Sequence, residues 1–147
     1  MSPRRRELGD DDFRRLLELR DGMRRFLHWS EERAREVGIT AGQHQLLLAI
    51  RGHGSPPSIG DVADHLLLRH HSVVELVDRA ERAGLVERYD DVVDLRVVRL
   101  RISDAGQTKL TDLAAAHLEE LARLRASLVA TWEVSSAPAP HRPAPRP

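Results

Sequence analysis

The sequence contains no cysteine, and this absence limits its chemistry. Disulfides, thiolate metal sites and redox-sensing thiols are all excluded. Aromatic residues make up only 3% of the 147 residues, so a core must be built from leucine, valine, isoleucine and alanine. No apolar run approaches the length of a membrane span, and the N-terminal residues lack the apolar segment of a signal peptide. We therefore expect about one cytoplasmic domain with a real core.

The signatures of catalysis are also missing. The sequence has no glycine-rich phosphate loop, no nucleophile elbow and no clustered acid pair in a loop setting. It therefore predicts neither an enzyme nor a bound cofactor. The formal net charge is zero, which weighs against a protein that binds nucleic acid by electrostatics alone.

The stretch from Ser58 to Ser103 predicts two short helices followed by a hairpin. Ser58 and Asp61 have the spacing of a capping box, and Gly84 is placed to end the second helix as a left-handed stop. Residues 85–88 and 96–102 then predict strands around a polar tip at 89–95. This layout is typical of a winged helix-turn-helix, whose second helix enters the major groove of DNA. The alternative is an ordinary α+β packing unit that binds no nucleic acid.

Two long helices are predicted on either side of this stretch. Residues 10–38 form the first, and a shorter helix begins at the capping box of Thr40 and ends near Gly52. Residues 103–133 form the last helix, with an apolar seam. The seam consists of Leu110, Leu113, Ala114, His117, Leu121, Leu124, Leu128 and Trp132. We expect the two long helices to pair with their copies in a second subunit, the alternative being a monomer that folds both over its core. Residues 1–9 and the Pro-rich residues 134–147 are predicted to be disordered.

Two segments carry a family resemblance. DVADHLLLRHHSVVELVDRAERAGLVER, and Asp94-Leu95-Arg96 followed by VVRLRISDAG, resemble the helix pair and the wing of MarR (multiple antibiotic resistance regulator) transcriptional regulators. The resemblance covers about residues 11–132. It implies a mostly α fold with a small β-hairpin, in which a winged helix-turn-helix lobe (40–102) is flanked by dimerisation helices. It also implies a homodimer that reads a pseudo-palindrome in double-stranded DNA, more often a repressor than an activator, and frequently released by a small-molecule ligand.

The resemblance places DNA contacts at the start of the second short helix and in the wing. Arg96 matches the family's wing arginine, expected in the minor groove, and Asp94 is predicted to orient it. Ser72 with Glu75 also has capping-box spacing, which would start the helix two residues later. The predicted DNA-binding residues are Ser58, Arg69, His70, His71, Ser72, Val74, Glu75, Arg79, Asp94 and Arg96.

Charge raises a competing function. Residues 58–103 hold seven arginines against nine acids, a formal charge of −2. Glu75 is suited either to accept from a cytosine amine or to repel a phosphate, and Asp90 with Asp91 makes the wing tip acidic. We therefore expect the wing to contact less DNA backbone than usual. The alternative function is a winged-helix protein-interaction module with little or no DNA binding.

Eight histidines raise the question of a metal or a sensed ligand. Their spacing does not predict a metal site. His28, His44 and His117 lie one on each of the helices that line the family's effector pocket, and Trp29 is next to the first. These residues either sense a ligand or pH, or are half-buried polar residues satisfied by backbone groups.

Overall fold

In the computed structural model, which describes residues 7–134, the chain forms five helices and one two-stranded sheet. The elements are α1 Asp10–Glu36, α2 Ala41–Gly52, α3 Ile59–Leu66, α4 His70–Arg82, β1 Val86–Asp90, β2 Val98–Ile102 and α5 Asp104–Val134. The predicted mostly α fold with a β-hairpin is confirmed. Of the predicted disordered ends, residues 1–6 and 135–147 lie outside the described residues, whereas Val134 is the last residue of α5.

The predicted helix caps are present. Thr40 accepts from the Gln43 amide at 3.1 Å, and Ser58 accepts from the Asp61 amide at 3.1 Å. In both capping boxes the side chain of the third helical residue also accepts from the N-cap backbone amide, so each helix begins with two satisfied amide donors. After α4, Gly84 has a φ of +72°, the left-handed conformation predicted for a helix stop.

The hairpin is antiparallel, and its turn lies two residues further along the chain than predicted. Val86 pairs with Ile102, and Asp90 pairs with Val98. The predicted tip at 89–95 is therefore wrong by two residues at each end: the turn comprises residues 91–97, because Tyr89 and Asp90 still pair with β2 and pairing resumes only at Val98. The loop before α3 joins the sheet as well: Ser58 forms a bridge with Arg99, and the Leu100 amide donates to the Pro57 carbonyl at 2.9 Å.

Residues 28–118 form one compact unit with the winged helix-turn-helix at its centre. Leu46, Leu47, Val73, Val77 and Leu100 are fully buried in its core. Leu110 and Leu113 belong to the same core, with exposed fractions of 4% and 2%. The seam predicted along residues 103–133 is thus divided, because its first part packs inside this lobe and is not available to a second subunit.

A second unit consists, in its described part, of residues 7–27 and 119–134. Within it, a methyl group at Gly22 would approach the Leu124 side chain to 2.9 Å, and the Arg15 guanidinium lies 5.3 Å from the centre of the Trp132 ring. Large apolar side chains of this unit remain exposed. They are Leu8, Phe13, Leu16, Leu17, Met23, Leu27, Leu121, Val129 and Trp132.

None of the helices in residues 7–134 combines the length and the apolar character that crossing a membrane requires.

The start of α5 packs tightly against Leu85, which precedes β1, and against Ile102 at the end of β2. A Cβ at Gly106 would lie 2.3 Å from the Leu85 carbonyl oxygen and 2.8 Å from the Ile102 side chain. Because the nearer atom is backbone, it cannot move aside cheaply. We expect Gly106→Ala to lower the free energy of unfolding by about 1–3 kcal/mol or more, measured by urea denaturation. Gly60→Ala is the control, since its nearest contact would be 3.7 Å away and alanine favours a helix; an equal loss in both variants would contradict this packing.

Candidate nucleic-acid interface

α4 begins differently from α2 and α3. Its N-cap is Arg69, and no side chain caps it, whereas both preceding helices carry a complete capping box. The alternative start at a Ser72–Glu75 capping box is wrong, because the helix already begins at His70. Without a side-chain acceptor, the first-turn amides and the positive end of the helix dipole can meet an anion such as a phosphate.

The outward face of α4 carries most of the predicted contacts. Arg69, His70, His71, Glu75 and Arg79 are exposed, whereas Ser72 and Val74 are half-buried. The opposite face is anchored in the core by Val73, Leu76, Val77 and Ala80. The helix therefore presents a row of polar side chains from a rigidly packed base, which suits reading the edges of base pairs.

The wing arginine is held in the predicted way. Asp94 accepts from the Arg96 backbone amide at 3.1 Å and from its guanidinium at 3.1 and 3.3 Å. This pair lowers the pKa of Asp94, with the guanidinium contact as the larger cause. The Arg96 side chain is 90% exposed. Because both partners are at the surface, the pair orients Arg96 and adds little to stability.

A cleft of about 470 Å³ separates α4 from the wing. Ser58, His70, Val74 and Arg96 all line it. The fold thus brings residues of three sequence segments, all predicted to contact DNA, to one surface.

Two further arginines hold the hairpin to the helices, a role that the sequence did not reveal. Arg88 of β1 donates to Asp78 at 2.6 Å, pairs with Glu81, and reaches the Val74 carbonyl at 3.4 Å. It thereby ties the hairpin to α4. The only sequence signal was the spacing of Asp78 and Glu81 on one face of α4, which does not identify a partner ten residues away.

Arg99 of β2 does the same on the other side of the hairpin. It donates to Asp91 at 2.8 Å and to the Pro56 carbonyl at 3.4 Å, and its guanidinium lies 3.8 Å from Asp61 of α3. Arg88 and Arg99 therefore both hold the wing in place.

The acidic charge of the lobe is largely paired. Six of the nine acids in residues 58–103 lie within 4 Å of a basic side chain: Asp61, Asp78, Glu81, Glu87, Asp91 and Asp94. These six acids share four arginines, so the formal charge of −2 lies in the paired groups, and the other three acids of the stretch are balanced by Arg69, Arg79 and Arg82.

Asp91 is part of the wing turn and not a free acidic tip. Its carboxylate accepts from the amides of Val93 and Asp94 at 2.8 and 2.9 Å, as well as from Arg99. These bonds lower its pKa to about 2, the Asp94 amide being the largest cause and Arg99 the next. Asp90, the last residue of β1, is exposed, so its charge remains where it would repel a DNA phosphate. The acidic tip predicted from the sequence is thus reduced from two residues to one.

The predicted effector residues only partly come together. The His117 ring lies 4.8 Å from the Trp29 ring and 4.7 Å from the His44 ring, between centroids. His117 also bonds Ser30 at 2.7 Å and the Leu113 carbonyl at 2.8 Å. Burial, and then His117, lower the pKa of His44, so this ring is neutral at pH 7.

His28 is separate from this cluster, because its exposed ring pairs with Glu32 at 3.4 Å on the same helix. Its place in an effector pocket stays a prediction. In the cluster that remains, His117 has protein partners at both ring nitrogens, which favours the reading of satisfied polar residues over that of a free sensor. Within residues 7–134, no three His, Cys, Asp or Glu side chains are grouped to hold a metal.

The sequence matches a known family over part of its length. A family model described as MarR family matches residues 37–96. Among curated proteins, the HTH-type transcriptional repressor MdtR of Bacillus subtilis (strain 168) is 27% identical over 92 residues. That match covers 63% of this chain and 59% of the repressor, which is less than two thirds of the relative's length.

Solved structures share the fold. A crystal structure of a MarR family transcription regulator has a TM-score of 0.71 at 20% identity, with 86% of each chain covered. A mutant of MarR from E. coli, complexed with operator DNA, has a TM-score of 0.63 at 22% identity, covering 78% of this chain and 85% of that one. Likeness at this level of identity establishes the winged-helix fold.

The two acids of the wing should behave differently when replaced. We expect Asp91→Ala to shift and broaden the amide NMR signals of Val93 and Asp94, because they lose their acceptor, and Asp90→Ala to leave them in place. Since the pKa of Asp91 is lowered to about 2, its bonds should persist as pH falls through the ordinary carboxyl range and be lost only near pH 2. Unchanged Val93 and Asp94 signals in Asp91→Ala would disprove this role.

Proposed function

We propose that the chain is a member of the MarR family of transcription regulators and that it binds double-stranded DNA sequence-specifically. The observation that carries the proposal is the uncapped start of α4 beside the exposed Arg96. A helix N-terminus with free first-turn amides suits a phosphate, and the side chains of its first turn then face base edges.

The two reading elements have different tasks in this proposal. α4 enters the major groove, where His70, His71 and Glu75 meet base edges or phosphates. The wing extends to the minor groove, where Arg96 supplies a guanidinium. Asp94 keeps that guanidinium in one orientation before binding, which lowers the entropy cost of ordering it.

Charge no longer favours the alternative of a protein-interaction module without DNA binding. That alternative came from the excess of acids over arginines in residues 58–103. Six of these nine acids pair with four arginines that belong to the hairpin and its wing, and the acids and arginines of the stretch outside these pairs are equal in number. A binder of this kind depends on a few well-placed groups more than on bulk charge.

We further propose that the regulator is a homodimer that represses from a pseudo-palindromic site. The exposed apolar side chains of residues 7–27 and 119–134 support the dimer, since monomers rarely expose so many large apolar groups on one pair of helices. Two copies related by a twofold axis would present two α4 helices to two half-sites. Repression is proposed because the matched relative, MdtR, is named a repressor.

A small-molecule effector is a further part of the proposal. Trp29, His44 and His117 offer aromatic faces for a planar ligand, as expected from the family resemblance. A ligand there would compete with the bonds that His117 makes to Ser30 and to the Leu113 carbonyl.

DNA binding is tested by removing the wing arginine. We expect Arg96→Ala to weaken binding to promoter DNA from beside the protein's own gene by about 1–3 kcal/mol, because a groove contact is lost. Fluorescence anisotropy at several salt concentrations would measure it. The matched control is Arg123→Ala, which removes the same charge from an exposed position on α5 that pairs with Glu119 and Glu120. If the intact protein binds no upstream DNA at low salt, the interaction module is the better proposal.

The dimer is tested on its apolar surface. Leu17 of α1 is 57% exposed, and a charge there should prevent two copies from burying it. We expect Leu17→Glu to shift the protein from dimer to monomer in sedimentation velocity runs. Leu48→Glu is the control, because Leu48 is 56% exposed but lies on α2 in the other unit. A monomeric parent protein, or a Leu17→Glu variant that stays dimeric, would contradict the assignment.

A further inference from the structure

The rings of His53 and His65 face each other at the surface of the lobe. His53 is the C-cap residue of α2, and His65 lies in the last turn of α3. The His53 Nδ1 and His65 Nε2 atoms are 2.8 Å apart, and the ring centroids are 5.1 Å apart at an interplanar angle of 84°. A neutral imidazole has one donor and one acceptor nitrogen, so this contact holds a single proton between two nitrogens whose lone pairs converge.

The other nitrogen of His53 faces a carboxylate. Its Nε2 lies 3.8 Å from Asp61 Oδ2, and the His53 side chain is only 26% exposed. Asp61 is itself fixed by the Ser58 backbone amide, which donates to it at 2.8 Å. That bond is the largest cause of its lowered pKa, so the carboxylate is charged at neutral pH. Histidines that bind metals usually point their far nitrogen at such an oriented carboxylate.

We propose that His53 Nδ1 and His65 Nε2 together bind a divalent transition-metal ion such as Zn²⁺ in place of the proton they share. Each neutral ring then keeps its proton on the nitrogen that faces away from the ion, and for His53 that nitrogen faces Asp61. Zn–N bonds of about 2.0–2.1 Å in a tetrahedral site place two nitrogens roughly 3.3 Å apart. The pair must therefore open by about half an ångström, which the exposed His65 side chain can accommodate.

The part of the protein that the structure describes supplies only two ligands at this site, and this determines how tightly the ion is held. Within residues 7–134, no third His, Cys, Asp or Glu joins the two histidines as a ligand. Water must fill the remaining positions, so the ion has one protein ligand fewer than the three of a typical open zinc site. The ion is thus exchangeable and responds to the free metal concentration. The sequence predicted no metal site because these two histidines lie on different helices, 12 residues apart.

The other histidine contacts in the lobe are less suited to a metal. His117 already uses both ring nitrogens, on Ser30 and on the Leu113 carbonyl, and His44 next to it is buried. His70 and His71 are adjacent on α4 and therefore point in different directions. The His53–His65 pair alone combines two converging nitrogens, solvent access and an oriented carboxylate among the described residues.

The test is a calorimetric titration of tag-free, chelator-treated protein with ZnCl₂ near pH 7.5. His65→Gln keeps a side chain that can bond His53 but removes the imidazole ligand, and His53→Ala removes the other. His28→Ala is the matched control, since it deletes an exposed histidine that pairs with Glu32 outside the site. We expect saturable binding in the parent protein and in His28→Ala, and binding at least about tenfold weaker in the other two variants.

Thermal unfolding supplies a second readout that does not depend on DNA. Zn²⁺ should raise the midpoint of the parent protein and of His28→Ala, because it binds only the folded pair, and should not raise that of His65→Gln. Circular dichroism without metal checks that each variant is folded. Absence of saturable Zn²⁺ binding, or binding that survives in both site variants and so reflects adventitious coordination by other histidines, would overturn the proposal.

Discussion

The wing can act with α4 only because two arginines fix the hairpin to the helices. Arg88 joins β1 to Asp78 and Glu81 of α4, and Arg99 joins β2 to Asp61 of α3 and to the Pro56 carbonyl. A two-stranded hairpin is marginally stable by itself. Its direction relative to α4 therefore depends on these ties and on the Leu100–Pro57 backbone bond. The cleft that gathers Ser58, His70 and Arg96 exists because the hairpin is held in this way.

These ties also explain why the composition of the lobe does not describe its surface. Summed over the lobe, the acids outnumber the arginines, which favoured a protein-interaction module. The structure shows that most of those acids hold arginines in place, so the same residues that lower the net charge build the support for the wing. Bulk charge describes the solubility and the non-specific binding of a chain, whereas specific recognition depends on where single groups lie. Arg96, 90% exposed, keeps its charge where a groove could receive it.

Local sequence patterns predicted where helices begin and end, whereas features that depend on contacts between distant residues could not be predicted. Capping boxes at Thr40 and Ser58 and the stop at Gly84 involve residues within a few positions of each other, so the sequence revealed them. The strand ends were two residues off, since Tyr89 and Asp90 extend β1 only because β2 offers partners. The separation of His28 from the His44–His117 contact has the same origin: the sequence places His28 on a helix but does not show which side of that helix faces His117.

The places where the sequence departs from ideal local structure coincide with the proposed interface. α4 lacks the side-chain cap that α2 and α3 possess, and the turn before it holds Leu67 at a φ of +54°. A non-glycine residue in that conformation costs about 1–2 kcal/mol, and Leu67 is 90% exposed, so its side chain recovers little by packing. Proteins usually carry such local costs at functional sites, where another requirement outweighs stability. An uncapped helix start reached through a strained turn is costly for folding alone, but it leaves the first amides of α4 open to a phosphate.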